Sequence, residues 1–556
     1  MLLVAAAKKR QSQVNTRGVA LGNVFILEDW FFNHNLPVER HWGPQRMTTP
    51  PVTGVVAQGG GGNPYQPVSG TVLPCPKGLG STDKIVSSDG TVHLWSAEGD
   101  LINLMCEHLS EERAIQIMRR YREQAITEQD IRALARKGIR HLRISVGWWV
   151  MAGDEYKIVL DPYYDGSSPD RPKVRQLQGG RRWIETTLCR WAHRYNMSVI
   201  LDIHACPGGS SYAVSYAGLP AVWNGSTYEW LKGVFFISKA CQDHWNSCVI
   251  PESLASISRI NRRFPGLVRA FEPMNEPGLG FYQVTPPAGF DDWADGLSTR
   301  KLLGTYREIN STYRQSMLQF QRAAESDPAG LGCTQFWVQA FIGADYAASG
   351  FDYGHDKWTT VLDHLVPYLP DPAVWPEWLA LDYHWYQTWD IPICKQECCA
   401  APCCVSNNCV TCSMYSVPSE CDKGTFACKT LCEDVDEAKK VFDSWLAGTM
   451  EADFQRVLGW FRARYPDRLA GDKPLHRLLS CTEWAVATAP PREPYQQCED
   501  GELVRYFFQR QRDMFDKYGV INCYWTLKCP QSGKIENPWS YQWLSKHRIA
   551  EEEQAA

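Results

Sequence analysis

The chain has no apolar run approaching the roughly 20 residues that cross a bilayer, so no transmembrane span is expected. It has no excess of one charge either. Its 57 Lys and Arg stand against 62 Asp and Glu, a formal net charge of -5 over 556 residues. That balance excludes the broad electropositive face of a nucleic-acid binder and favours a neutral or weakly charged partner. A well-ordered leader is missing too. The apolar stretch 1–7 precedes Lys8, Lys9 and Arg10, the reverse of the charge order in a signal peptide, so 1–15 reads as a tail, at most the remnant of a leader. No internal repeat is visible beyond an alternation of strands and helices. Length alone permits two to four domains, or one barrel with long loops.

Aromatic residues and cysteines are abundant. The 23 Trp and 24 Tyr exceed ordinary core needs, and flat rings are what sugars stack on, although packing alone also uses them. The 21 cysteines include a dense run: Cys394, Cys398, Cys399, Cys403, Cys404, Cys409, Cys412, Cys421, Cys428 and Cys432. The run reads as a disulfide-rich insertion over 390–434. A zinc module competes, but the run contains no His and its adjacent pairs do not follow two-plus-two ligand spacing. The odd total leaves at least one thiol unpaired in a monomer, and Cys206 is the leading candidate. Sequons at Asn196, Asn224 and Asn310 agree with an exported, glycosylated chain, secreted or at the cell wall.

Strand-like apolar runs recur at 18–27, 139–146, 198–203, 267–274, 335–341, 378–383, 477–481 and 520–525. Helical periodicity fills much of the space between, at 128–137, 184–195, 293–323, 435–458 and 502–517. Thr127 is placed to cap the first of these and Gly138 to end it. Eight strands alternating with helices predict an α/β fold of the (β/α)8 TIM-barrel type over 16–556. A Gly-, Pro- and Ser-rich excursion at 48–100 and the cysteine-rich insertion interrupt the alternation. Both are expected near the catalytic face, unless the cysteine insertion is a small separate module.

Polar residues gather at the strand ends. Strand four runs into Asn275-Glu276-Pro277 and strand seven into Thr482-Glu483-Trp484. Two carboxylates facing each other across a barrel mouth are the requirement for glycoside hydrolysis. A gap of about 5 to 5.5 Å leaves no room for a catalytic water, so one carboxylate attacks the sugar and the anomeric configuration is retained. Either Glu alone would be read as a surface or salt-bridged residue. Their company changes that reading: Glu28 and Asp29 follow strand one, Arg143 lies on strand two, and Asp202 and His204 lie on strand three. His384 and Tyr386 follow strand six, with Trp525 and Lys528 at strand eight. The acid must hold its proton near working pH and the nucleophile must be ionised, and Arg143 is suited to keep it so. This chemistry requires no metal and no cofactor.

The stretches RGVALGNVFILE (17–28), IRHLRISVGWW (139–149), VILDIHACPG (199–208), NEP (275–277), LDYHWYQ (381–387), TEW (482–484) and YWTLK (524–528) occur in one order along the chain. That ordered set covers seven of the eight strand ends and resembles glycoside hydrolase family 5, in particular its exo-β-1,3-glucanases (glucan 1,3-β-glucosidases). The resemblance implies a retaining enzyme with Glu276 as acid/base and Glu483 as nucleophile. It also implies that Asn275 contacts the 2-hydroxyl of the transferred sugar and that Arg143 supports the nucleophile. His204, His384 and Tyr386 would line the catalytic subsite, Glu28 would hold hydroxyls of the terminal glucose, Trp525 would lie under that sugar, and Trp389 would be an opposing aromatic.

The sequence also departs from that family. The loop GGSSYAVSYAG (208–218) lacks the usual Asn, Asp and one clamp aromatic, for which Tyr212, Tyr216 or Trp223 are substitutes. Asn23 replaces a small residue, Thr482 a Gly, Leu527 a Trp and Cys206 an Ala. The expectation is a monomer that hydrolyses β-glucan or oligosaccharide from the non-reducing end, with transglycosylation as a side reaction. Endo-β-glucanase or β-glucosidase action on other glycosides or glycolipids is the alternative. A non-catalytic carbohydrate-binding or wall protein is the rival from another class.

Overall fold

The computed structural model describes residues 15–28, 56–57, 67–68, 97–210, 215–223, 228–231, 233–236, 238–277, 299–339, 378–386, 434–464, 478–487, 501–529 and 538–550. Eight parallel strands close a barrel: β1 (Arg17–Ala20), β2 (His141–Gly147), β3 (Ser198–Ala205), β4 (Val268–Glu272), β5 (Gln335–Gln339), β6 (Leu379–Tyr386), β7 (Leu479–Ala485) and β8 (Ile521–Tyr524). Each strand pairs with its sequence neighbours, and β1 closes the ring by pairing with both β2 (Gly18 opposite His141) and β8 (Gly18 opposite Cys523). Every strand expected from the sequence is present, within a few residues at each end, except that β1 stops at Ala20 where a run to Leu27 was expected. The reason is burial on both faces: all seven residues of β2 and of β7 are buried, so these strands read as near-continuous apolar runs.

The helices cover the outside. Thr127 caps Glu128–Arg136 through a reciprocal capping box with Asp130, and Gly138 follows with φ +78°, so both terminal signals act as expected. Helices at 181–194, 299–326, 435–464 and 501–518 match the remaining expectations, within the described residues. Among the described residues three further long helices, Glu98–His108, Glu111–Gln124 and one over 239–263, were not expected. The first overturns the end of the presumed irregular excursion: Ala97 bridges Glu28, and regular helix begins at Glu98.

Most of the excursion, the cysteine-rich insertion, Asp29 and Trp389 lie outside the described residues. Eight of the nine described cysteines are free thiols, Cys206 among them, in keeping with the expectation of at least one unpaired thiol. No described helix is long and apolar enough to cross a membrane.

Candidate active site

Arg143, fully buried on β2, organises the floor of the barrel mouth. Its guanidinium takes Glu272 of β4 through two bonds (Nε–Oε2 3.0 Å and Nη2–Oε1 3.2 Å) and Asp202 of β3 at 3.0 Å. It also donates to Glu483 of β7 through Nη1 and to the side-chain oxygen of Asn275 at 2.8 Å. One cation therefore faces three buried carboxylates. Burial pushes Glu272 up to about 8 and Asp202 up to about 6, so part of this cluster holds protons.

Glu483 receives more than the arginine. The Tyr386 hydroxyl donates to its Oε2 at 2.6 Å, and His384 Nδ1 lies 3.2 Å from the same oxygen. Arg143 and Tyr386 thus both donate to this carboxylate, with the His384 ring beside it. Glu276 sits in a different environment. Its carboxyl is pushed up by burial, against the opposing pull of the Tyr216 hydroxyl and the charge of Arg143. His384 Nδ1 lies 2.7 Å from its Oε1. Carboxylate oxygens of Glu276 and Glu483 and a nitrogen of His384 all lie within 4.8 Å of one another. The chain thus brings together two carboxyls in unlike surroundings, one whose proton affinity burial raises and the other met by the donors Arg143 and Tyr386.

The remaining expected residues fall around this pair. Asn275 gives its oxygen to Arg143, so its amide group points to His204 Nε2 at 3.4 Å. His204 in turn holds Asp202 through Nδ1 at 2.7 Å, and burial lowers its proton affinity to about 4, leaving the ring neutral. Trp525 stacks on His204 with ring planes 5° apart and centroids separated by 5.3 Å. Glu28 is buried at the end of β1 and bears electrostatically on Tyr386. Asn23 takes a left-handed conformation, φ +60°, which Asn tolerates and most side chains do not, and its side-chain oxygen accepts the Glu28 amide. That is the physical reason for Asn at this position.

Strand irregularity aims the nucleophile. On β6 and β7 the pairing steps from Tyr383–Cys481 to His384–Glu483, so Thr482 is the extra residue of a bulge. Thr482 is tied to Asp382 through its amide (3.0 Å) and its hydroxyl (2.5 Å), which accounts for Thr where the family resemblance leads one to expect Gly.

Two strand-end expectations change. Lys528 does not belong to the site: it pairs with Asp130 at 2.7 Å, on the helix before β2. Tyr216, one of three residues expected as a ring on the leaving-group side, is placed edge-on against His204, and its hydroxyl lowers the proton affinity of Glu276. The sequence reading missed Glu272, Asp382 and Gln339. Glu272 and Asp382 are ionisable residues inside apolar strands, a pattern that would have been the signal; the lone Gln339 offers none.

No protein-family model matches the sequence. It is 26% identical over 188 residues to a glucan 1,3-beta-glucosidase of Blumeria graminis, 33% of this chain and 35% of that protein. It is 24% identical over 250 residues to a probable glucan 1,3-beta-glucosidase A of Aspergillus fumigatus, 45% of this chain and 44% of that one. The chain is a distant relative of the glucan 1,3-beta-glucosidases. The matching segments span less than half the length of these relatives. Among solved structures, the rutinosidase from Aspergillus niger aligns over 97% of this chain and 100% of its own at 15% identity and a TM-score of 0.45. AoRut aligns over 97% and 98% at 16% identity and a TM-score of 0.44.

Proposed function

We propose that the protein is a retaining β-glycoside hydrolase acting on β-linked glucans or glucosides, with Glu276 as acid/base and Glu483 as nucleophile. The observation that carries this reading is the approach of the two carboxyls, oxygen to oxygen, within 4.8 Å. An inverting pair needs about 6.5 to 9.5 Å for the attacking water. In the first step Glu483 attacks the anomeric carbon while Glu276 passes its proton to the leaving oxygen. In the second, Glu276 takes a proton from water, which releases the sugar with its original configuration. Arg143 and Tyr386 donate to Glu483, and the second N–H of Asn275 is available for a sugar hydroxyl.

Exo-action on β-1,3-glucan is the narrower reading, supported by the names of the relatives. The broader one, a β-glycosidase or endo-acting glucanase, is favoured by the loop around Tyr216, whose substitutions alter the leaving-group side. Incubation with laminari-oligosaccharides, their β-1,4- and β-1,6-linked equivalents and aryl β-glucosides tests both. Release of the β-anomer first is expected, and release of the α-anomer would refute retention. Single glucose units from the non-reducing end support exo-action; a ladder of lengths supports endo-action.

A further inference from the structure

Strand β5 is the one strand end to which no family stretch corresponded, and it contributes Gln339 to the site. The residue is fully buried, and its backbone is clamped by Tyr313: the Gln339 amide donates to the Tyr313 hydroxyl at 3.2 Å, and that hydroxyl donates to the Gln339 carbonyl at 3.1 Å. Its side chain bridges the two groups that matter most to the acid. It accepts the backbone N–H of Glu276, and its amide nitrogen meets Nε2 of His384.

Donor and acceptor chemistry then decides the rest. A backbone N–H can only donate, so the Gln339 oxygen faces Glu276 and its NH2 faces His384. The NH2 can only donate, so His384 Nε2 accepts. Burial pushes the His384 ring well below its ordinary proton affinity, leaving it neutral with one N–H, which must then sit on Nδ1. Nδ1 lies 2.7 Å from Glu276 Oε1 and 3.2 Å from Glu483 Oε2. Two groups pull the other way: the Thr482 hydroxyl, 3.3 Å from Nε2, and the Asp382 carboxyl, 3.8 Å from it. Neither is a strong acceptor. The Thr482 hydroxyl is itself bonded to Asp382, and burial drives Asp382 towards its protonated form.

Glu276 is further held in the left-handed region, φ +38°, which a side chain as long as Glu seldom adopts without an anchor. The groups facing its carboxyl are His384 from β6, Glu483 from β7, His204 from β3, Arg143 from β2 and Tyr216 from the turn after β3.

We propose that Gln339 is a positioning residue which locks His384 as its Nδ1–H tautomer, so that the ring donates to Glu276 Oε1 and the catalytic proton is confined to Oε2. The catalytic half of this rests on the glycosidase reading; the tautomer half does not. With the opposite tautomer, Nδ1 would be an acceptor beside the acid and would divert its proton.

Nitrogen-15 NMR of histidine-labelled protein tests it, because protonated and bare ring nitrogens resonate far apart and the His384 signal can be assigned by its loss in His384→Gln. In the wild type, the proton is expected on Nδ1. In Gln339→Glu, whose second oxygen accepts, it is expected on Nε2, with kcat lower by about tenfold or more, KM little changed and the high-pH limb of kcat moved upward. Gln339→Leu, which removes both bonds, is expected to lose kcat without reversing the tautomer cleanly. A wild-type proton on Nε2 would overturn the proposal, and so would Gln339→Glu with unchanged tautomer and kcat. Should the variants fail to fold, the wild-type spectrum decides alone. An Nδ1 proton in a protein that turns over no β-glycoside would leave the tautomer assignment standing and remove the glycosidase reading instead.

Discussion

Glu483 and Glu276 have the same side chain but different neighbours. Arg143 and Tyr386 donate to Glu483, whereas burial raises the proton affinity of Glu276. Glu483→Gln is therefore expected to reduce turnover of an aryl β-glucoside by about 10⁴-fold or more while the protein remains folded; activity near wild type would remove it as nucleophile. Tyr216→Phe takes a donor from the ionised form of Glu276, so the acid should hold its proton to higher pH. The high-pH limb of kcat/KM is expected to move upward, and a downward move would show that the hydroxyl does not donate to Glu276. Most of these residues were legible in sequence because polar side chains at the ends of apolar strands stand out. Gln339 was not, because a lone Gln at the end of an apolar strand has no partner visible along the chain. Lys528 misled for the converse reason: its position near a strand end says nothing of the outward turn that takes it to Asp130.

At the scale of single elements, what the sequence shows depends on how local the cause is. The helix Glu128–Arg136 announces itself because its cap, its periodicity and its stop lie within a dozen residues. The helix over 239–263 does not. A π turn at Trp245–Val249 shifts its apolar periodicity, and Pro251 reads as a breaker although it occupies the first turn of the regular segment that follows. The bulge at Thr482 was equally hidden, because pairing register belongs to two strands at once. Closure of the barrel can be tested at Gly18. A Cβ there would lie 2.5 Å from Cys523 Sγ and 2.9 Å from the Asn522 carbonyl. Gly18→Ala is expected to destabilise the protein by about 1 to 3 kcal/mol, read as a lower midpoint in thermal unfolding, and an unchanged midpoint would mean that the β1–β8 seam is looser than its geometry.

Across the whole molecule, eight strands of alternating pattern were enough to give the architecture, since burial on both faces leaves few other ways to pack them. The long-range charge cluster beneath the site was not legible, because Glu272, Asp202 and Arg143 come from three strands. It has a consequence for stability. Glu272 binds its proton up to about 8 in the folded protein against 4.5 in the unfolded chain, so the unfolded state ionises first and stability should fall as pH rises between those values. Glu272→Gln is expected to flatten that slope in unfolding midpoints measured over the same range; parallel curves would contradict it. The free cysteines give a second global test. Denaturing the oxidised protein without reductant should expose at least eight reactive thiols, and fewer would mean that some of these cysteines are bridged.

The central claim, that Glu483 forms a bond to the sugar while Glu276 supplies the proton, is tested most directly by trapping. A β-glucoside with fluorine at the 2-position and a good leaving group slows both steps, the second more than the first, so that the covalent intermediate accumulates. Peptide mass spectrometry should then find one fluoroglucosyl group on the peptide carrying Glu483. A label on Glu276, or continued turnover of ordinary substrate with no labelled carboxylate, would contradict the account.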